Sequence, residues 1–225
     1  MKKVIQFIII ALLASSCVSI KQSDFHQIPK NSVLLPALET RFDLYSFESA
    51  YSLGTTSGSS VGYGTAVSNS SAIVISGGTS IHSRDPRIQD AITIFDRNVK
   101  ENITNPYGEK KGYIVCKMAD GSSKLSIGLV VLSGLTLCIP NLFGMPFGSY
   151  KTYLDVEVEI YNMRDELIGR YSEICSEKAW MACYWGYSDK NASIKSAVDA
   201  FSCALSSIND QIVDDADRLN HELSK

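Results

Sequence analysis

Histidine is scarce in this chain. Among 225 residues there are only three, His26, His82 and His221, which leaves little material for metal ligation or general-base chemistry. No HExxH, GxSxG or EF-hand pattern is present. No CxxC pair or Cys/His spacing is present either, so zinc is not expected. Basic charge is not in excess: 21 Lys and Arg stand against 24 Asp and Glu, a formal net charge of −3, which argues against a nucleic-acid partner. Gly62-Tyr63-Gly64 lacks the third glycine and the Lys-Ser/Thr of a phosphate loop. His82, in SIHSRDP, is the one histidine placed where a base could work. Its neighbours Ser83 and Asp85 are too close in sequence for a triad, which is assembled from distant segments. Glu157 and Glu159 read better as a solvated strand face than as an acid–base pair. The expectation is a non-enzymatic protein with no catalytic residues, no cofactor and no metal.

The first residues, MKKVIQFIIIALLASSC, place two lysines before an apolar run from Val4 to Ala14. That run has signal-peptide length and is too short to span a bilayer comfortably. Ala14-Ser15-Ser16-Cys17 then resembles the lipobox of bacterial lipoproteins, with Ala14 where Leu is usual. The resemblance implies cleavage after residue 16 and lipidation (acyl chains such as palmitate) at Cys17, hence attachment to a membrane without a transmembrane helix. Val18, rather than Asp, resembles the signal for outer-membrane delivery. The absence of an acidic run in VSIKQSDF favours the periplasmic face over the cell surface. The chain therefore divides into a signal peptide (1–16), a lipidated tether (17–32) and one domain (33–225), with a Gly/Ser/Thr-rich insert near 52–80. Five cysteines follow Cys17. Cys175 and Cys183 flank a short segment and are the preferred disulfide pair, with buried unpaired thiols as the other reading.

Within the domain, VLLPALETRFDLYSFESAY reads as a strand through Phe42, Leu44, Tyr45 and Phe47, and Ala72–Ile75 as a short strand. Asp85 and Pro86 begin a helix, as N-cap and first helical residue. Its apolar stripe is Ile88, Ala91, Ile92, Phe95, Val99 and Ile103, and Asn105-Pro106-Tyr107-Gly108 ends it. GYIVCKM is a strand, with Ala119-Asp120-Gly121 as a turn. In TYLDVEVEIYN, Leu154, Val156, Val158 and Ile160 alternate with acidic residues, which gives a strand wet on one face. Asn162 to Glu166 turn the chain into LIGRYSEIC, its hairpin partner. A long closing helix starts near Asn191, carrying Ile194, Ala197, Val198, Phe201, Leu205, Ile208 and Ile212 on one stripe and Cys203 on the other side. The charged end beyond Asp214 is expected in solvent. This order predicts an α+β two-layer sandwich, an antiparallel sheet of four to six strands covered on one face by two helices. It is similar to envelope domains of the TolB N-terminal and curli-secretion lipoprotein type. IPNLFGMPFG, LDVEVEIYN and YWGYS look like a group of Gram-negative envelope lipoproteins with no known active site.

One stretch remains. From Leu125 to Tyr150 there is no charged residue. Glycines and prolines interrupt it, so a membrane span is the weakest of three readings. A buried strand with a loop is the second. The third is an exposed apolar loop that docks on a partner or enters the lipid interface. On the narrowed expectation, 127–139 is buried and 140–148 exposed. The candidate interaction surface is then Asn141, Leu142, Phe143, Met145 and Phe147, joined by Trp180 and Trp185 from AWMACYWGYSDK. Core packing is the other reading for those two tryptophans. The functional expectation is an accessory or scaffold component of an outer-membrane assembly, held by its lipid anchor and contacting an envelope protein partner. The alternative is a periplasmic ligand-binding module for an apolar or glycan ligand.

Overall fold

A computed structural model describes residues 28, 34–53, 73–75, 85–182 and 185–225, with backbone alone at 52, 53, 73–75 and 127. In chain order the elements are β1 (Glu39–Phe42), α1 (Leu44–Leu53), β2 (Ile73–Ile75), α2 (Pro86–Asn98, continued by a wider π-turn, Val99–Ile103) and β3 (Gly112–Leu125). They continue with α3 (Ile127–Leu135), α4 (Ile139–Leu142), β4 (Gly148–Asn162), β5 (Leu167–Met181), α5 (Asp189–Asp214) and α6 (Ala216–Leu223). The strands form one sheet in the order β2-β1-β3-β4-β5. Long antiparallel pairings join β3 to β4 and β4 to β5. β1 lies parallel to β3, a mixed pairing in a sheet expected to be wholly antiparallel. The α+β two-layer sandwich is observed.

Strand alternation decides which face is covered. Leu154, Val156, Val158 and Ile160 of β4 are fully buried against α5, where Phe201, Leu205 and Ile208 are buried in turn. The α2 stripe, Ile88 to Ile103, joins the same core. Asp85 caps α2 as its sequence predicts, its carboxylate accepting from the Arg87 amide at 2.9 Å. Phe42, Phe47, Phe95 and Phe201 tie β1, α1, α2 and α5 together through edge-to-face contacts, with ring centroids 5.0–5.9 Å apart.

Four expectations need correction. The segment after Phe42 is helical, not extended. Asp43 turns the chain by accepting from the Ser46 hydroxyl at its backbone oxygen, 2.8 Å away. Phe47, Ala50 and Tyr51 then bury one helical face. Ala119-Asp120-Gly121 is not a turn. The extra residue forms a bulge between Met118 and Asp120, and β3 runs on to Leu125. Nor does the chain beyond Asp214 project into solvent. Ala216, Leu219 and Leu223 of α6 are buried, and the Tyr171 hydroxyl donates to Asp215 at 2.7 Å.

The fourth correction concerns the disulfide. Cys175 is bonded to Cys203, not to Cys183, which lies outside the described residues. Leu154 is paired with Cys175 in the ladder, so Cys175 faces α5. Cys203 stands on the α5 flank above β5, with the two Cα atoms 6.1 Å apart. The side of α5 away from its main stripe is thus pinned to β5.

Candidate interaction surface

Between β3 and β4 the charge-free stretch is not a strand, and most of its apolar side chains are not buried. It forms two short helices, α3 and α4, between the ends of β3 and β4. Of the side chains expected in the core, Val130, Val131, Leu132 and Ile139 are exposed, Leu135 is 78% exposed and Leu137 82%. Among the described residues no helix is long and apolar enough to cross a membrane, and α3 measures only about 14 Å.

The hairpin is fixed to the domain at its root. The Ser126 amide donates to the Ser149 carbonyl at 2.9 Å, and the Phe147 amide to the Met181 carbonyl at 2.7 Å. Gly148 allows the close approach: a β-carbon there would stand 2.7 Å from Met181 Cε and 3.3 Å from Val130 Cγ2. Leu137 and Cys138 take left-handed backbone conformations, φ 52° and 60°, to reverse the chain between the helices. That conformation costs a residue with a β-carbon about 1–2 kcal/mol. Cys138 is exposed and free at this reversal, while the only other free described cysteine, Cys116, is buried, which pushes its thiol up.

The residues singled out in the sequence divide. Leu142 is exposed, and Phe143 is the most exposed apolar side chain of the hairpin at 87%. Asn141 is buried: its amide donates to the Met145 carbonyl at 3.0 Å and holds the loop from inside. Met145 is half-buried, and so is Phe147, which packs with Tyr150 and Tyr187 on a small cluster of Ala179, Met181 and Ala192. Trp180 and Trp185 flank the hairpin, 36% and 51% exposed. The Trp185 indole N–H donates to the Gly144 carbonyl at 2.8 Å, and the Lys178 ammonium sits 3.6 Å from the centre of the Trp180 ring. Cys17 and His82 lie outside the described residues.

Periodicity could not reveal the exposed part, 130–139, because a segment without charged residues has no clearly wet face to identify. A usable signal was the pair of lysines that border the charge-free stretch, Lys124 and Lys151.

One group of titratable side chains on the open sheet face is occupied internally. Lys117 and the Tyr161 hydroxyl both donate to the buried Glu159, and Arg170 bridges Glu157 and Glu159. Burial pushes the Tyr161 hydroxyl up to about 12, reinforced by its bond to the Glu159 carboxylate. Tyr150, beside the hairpin, also rises to about 12, through burial and its bond to Asp189. Among the described residues no group of three His, Cys, Asp or Glu side chains could hold a metal ion.

No family model and no curated protein matches this chain. Among solved structures, one similar chain is a candidate lipoprotein from Caulobacter crescentus CB15. It is 9% identical, with a TM-score of 0.33 over 65% of this chain and 88% of the other. A likeness that loose carries no argument about function.

Proposed function

We propose that this chain is a non-enzymatic, lipid-anchored envelope protein, an accessory or scaffold component of an outer-membrane assembly working from the periplasmic face. The observation that carries this reading is the rigidly rooted hairpin 127–147, which offers apolar side chains to its surroundings. Exposed apolar surface of this kind marks an interaction site. The lipobox-like LLASSC supports the anchoring, and the missing catalytic motifs support a binding role. The tryptophans favour this reading over a ligand-binding module, since each already has an intramolecular contact, to Gly144 or to Lys178.

In-cell photo-crosslinking from Leu135 and Phe143 tests the docking. Capture of a defined envelope component is expected, and it disappears with Leu135→Asp. Acyl labelling that Cys17→Ser removes tests the anchor. A hydrolytic activity abolished by His82→Ala or Glu157→Gln would overturn the non-enzymatic assignment.

A further inference from the structure

Three lysines stand in one row across the open sheet face, at the root of the hairpin. Lys124 of β3 is paired with Lys151 of β4, and Lys151 with Lys178 of β5. Residues directly opposed in a ladder share a face. Thr152, next to Lys151, points the other way and bonds the Ser196 hydroxyl of α5 at 2.7 Å. All three lysines are exposed. Among the described residues none has an acidic partner; the ion pairs of this face, Lys117–Glu159 and Arg170–Glu157, lie further from the hairpin. Like charges directly opposed are unfavourable by themselves, so a row of three is a site for an anionic partner.

The layers along the strand axis follow a fixed order. Ion-paired carboxylates come first, then the opposed Asp120 and Asp155, then the uncharged row Ser122–Tyr153–Ser176, then the lysine row, then Trp180 and Trp185, then the uncharged hairpin ending at Leu137 and Phe143. That order matches a phospholipid surface: phosphates outside, amphipathic aromatics at the boundary, acyl chains within. A protein interface is ringed by mixed polar groups, whereas here the border of the apolar surface on the open sheet face is purely cationic. We propose that the hairpin enters the interface of an anionic phospholipid bilayer, with Lys124, Lys151 and Lys178 on lipid phosphates. This rests on the proposed function only in taking the hairpin as the working surface, and it does not need the Cys17 lipid.

The test uses the full chain carrying Cys17→Ser. Its only two tryptophans are Trp180 and Trp185, so their emission reports the hairpin root and not the N-terminal leader. With vesicles containing phosphatidylglycerol, a blue shift and quenching by brominated acyl chains are expected; phosphatidylcholine alone should give little of either. Replacing the three lysines by Gln should raise the lipid concentration needed about fivefold per lysine, roughly a hundredfold together. Phe143→Asp should remove the brominated-lipid quenching. These side chains are exposed, and unchanged circular dichroism would show that the variants fold. No emission change with anionic vesicles, or one indifferent to the lysines, overturns the inference. If vesicles fail while crosslinking from Phe143 captures a protein, the docking function stands and its partner is that protein. If crosslinking captures nothing either, both readings fall.

Discussion

Asn98, Asn102 and Asn209 show how single residues carry the helix layer. All three are buried. The amide of Asn98 donates to Asn209 at 3.0 Å, Asn209 donates back at 2.9 Å, and Asn102 donates to the Asn98 oxygen at 2.9 Å, so α2 and α5 are joined reciprocally. Removing one partner strands a buried donor. Asn209→Ala should therefore cost about 2 kcal/mol in urea unfolding, with most of it recovered only when Asn98, Asn102 and Asn209 are all replaced by Leu, which leaves no donor stranded. Glu159 is the corresponding residue in the sheet. Burial pushes its carboxyl up, but the bonds from Lys117 and Tyr161 and the Lys117 and Arg170 charges outweigh that and hold it below the usual range. A carboxyl lowered by folding stabilises the fold above the ordinary glutamate value. That contribution is lost as pH falls through the lowered value. Glu159→Gln should then be less stable than the natural chain by about 1–3 kcal/mol near neutrality. The two urea midpoints should converge as pH falls below that lowered value, where protonation removes the same interaction. A gap that persists under acid would assign the loss to packing.

At the scale of elements, the Cys175–Cys203 bond couples the edge strand β5 to the closing helix across a separation of 28 residues. Chain-entropy arguments put its contribution at about 3.5 kcal/mol. Cys203→Ser should lower stability by about that amount under oxidising conditions and by little in reductant. Equal stability in both would show that packing alone holds α5 on β5. Why the pairing was misread from sequence is physical. Nearness along the chain favoured Cys183, whereas the β4–β5 register and the rotation of α5 decide which thiols meet. The same distinction runs through the fold. α2, β4, the β4–β5 turn and α5 carry their periodicity and caps in local residues, and they form where local residues place them. The bulge after Met118 and the burial of α6 depend on partners far away in sequence: β4 across from Asp120, and Tyr171 across from Asp215. The hairpin is the extreme case. Its composition fits strand, core and surface equally, and only the anchoring of Ser126 and Phe147 on β4 and β5 turns it outward. Of the candidate surface, Leu142 and Phe143 were legible because Pro140 and Gly144 mark a loop. Val130 to Leu137 were not.

For the whole molecule, the hairpin and the point where the described chain enters the sheet lie at opposite ends. Leu35 bridges Thr104 and Glu39 pairs with Tyr113, so the chain enters the fold at the start of β3, whereas the hairpin follows its last residue, Leu125. β3 has 14 residues, about 45 Å. Ile28 already packs against the core, and the stretch from Cys17 to Ile28 reaches at most about 40 Å at full extension. A domain held by a lipid at Cys17 and by its hairpin in the same leaflet therefore keeps Ile28 within that reach of the lipid surface. Deleting residues 19–26 would shorten the reach to about 10 Å and draw Ile28 towards the membrane, which restrains how the hairpin can meet the lipid. Brominated-lipid quenching of Trp180 and Trp185 in the lipidated protein should then fall, while ten Gly/Ser residues inserted after Ser19 should leave it intact. Lipidation at Cys17 is expected in both variants, because Cys17 and the residues before it are untouched. Quenching indifferent to tether length in both directions would mean that anchor and hairpin do not share one membrane surface. The hairpin would then be facing a partner other than the membrane that holds Cys17.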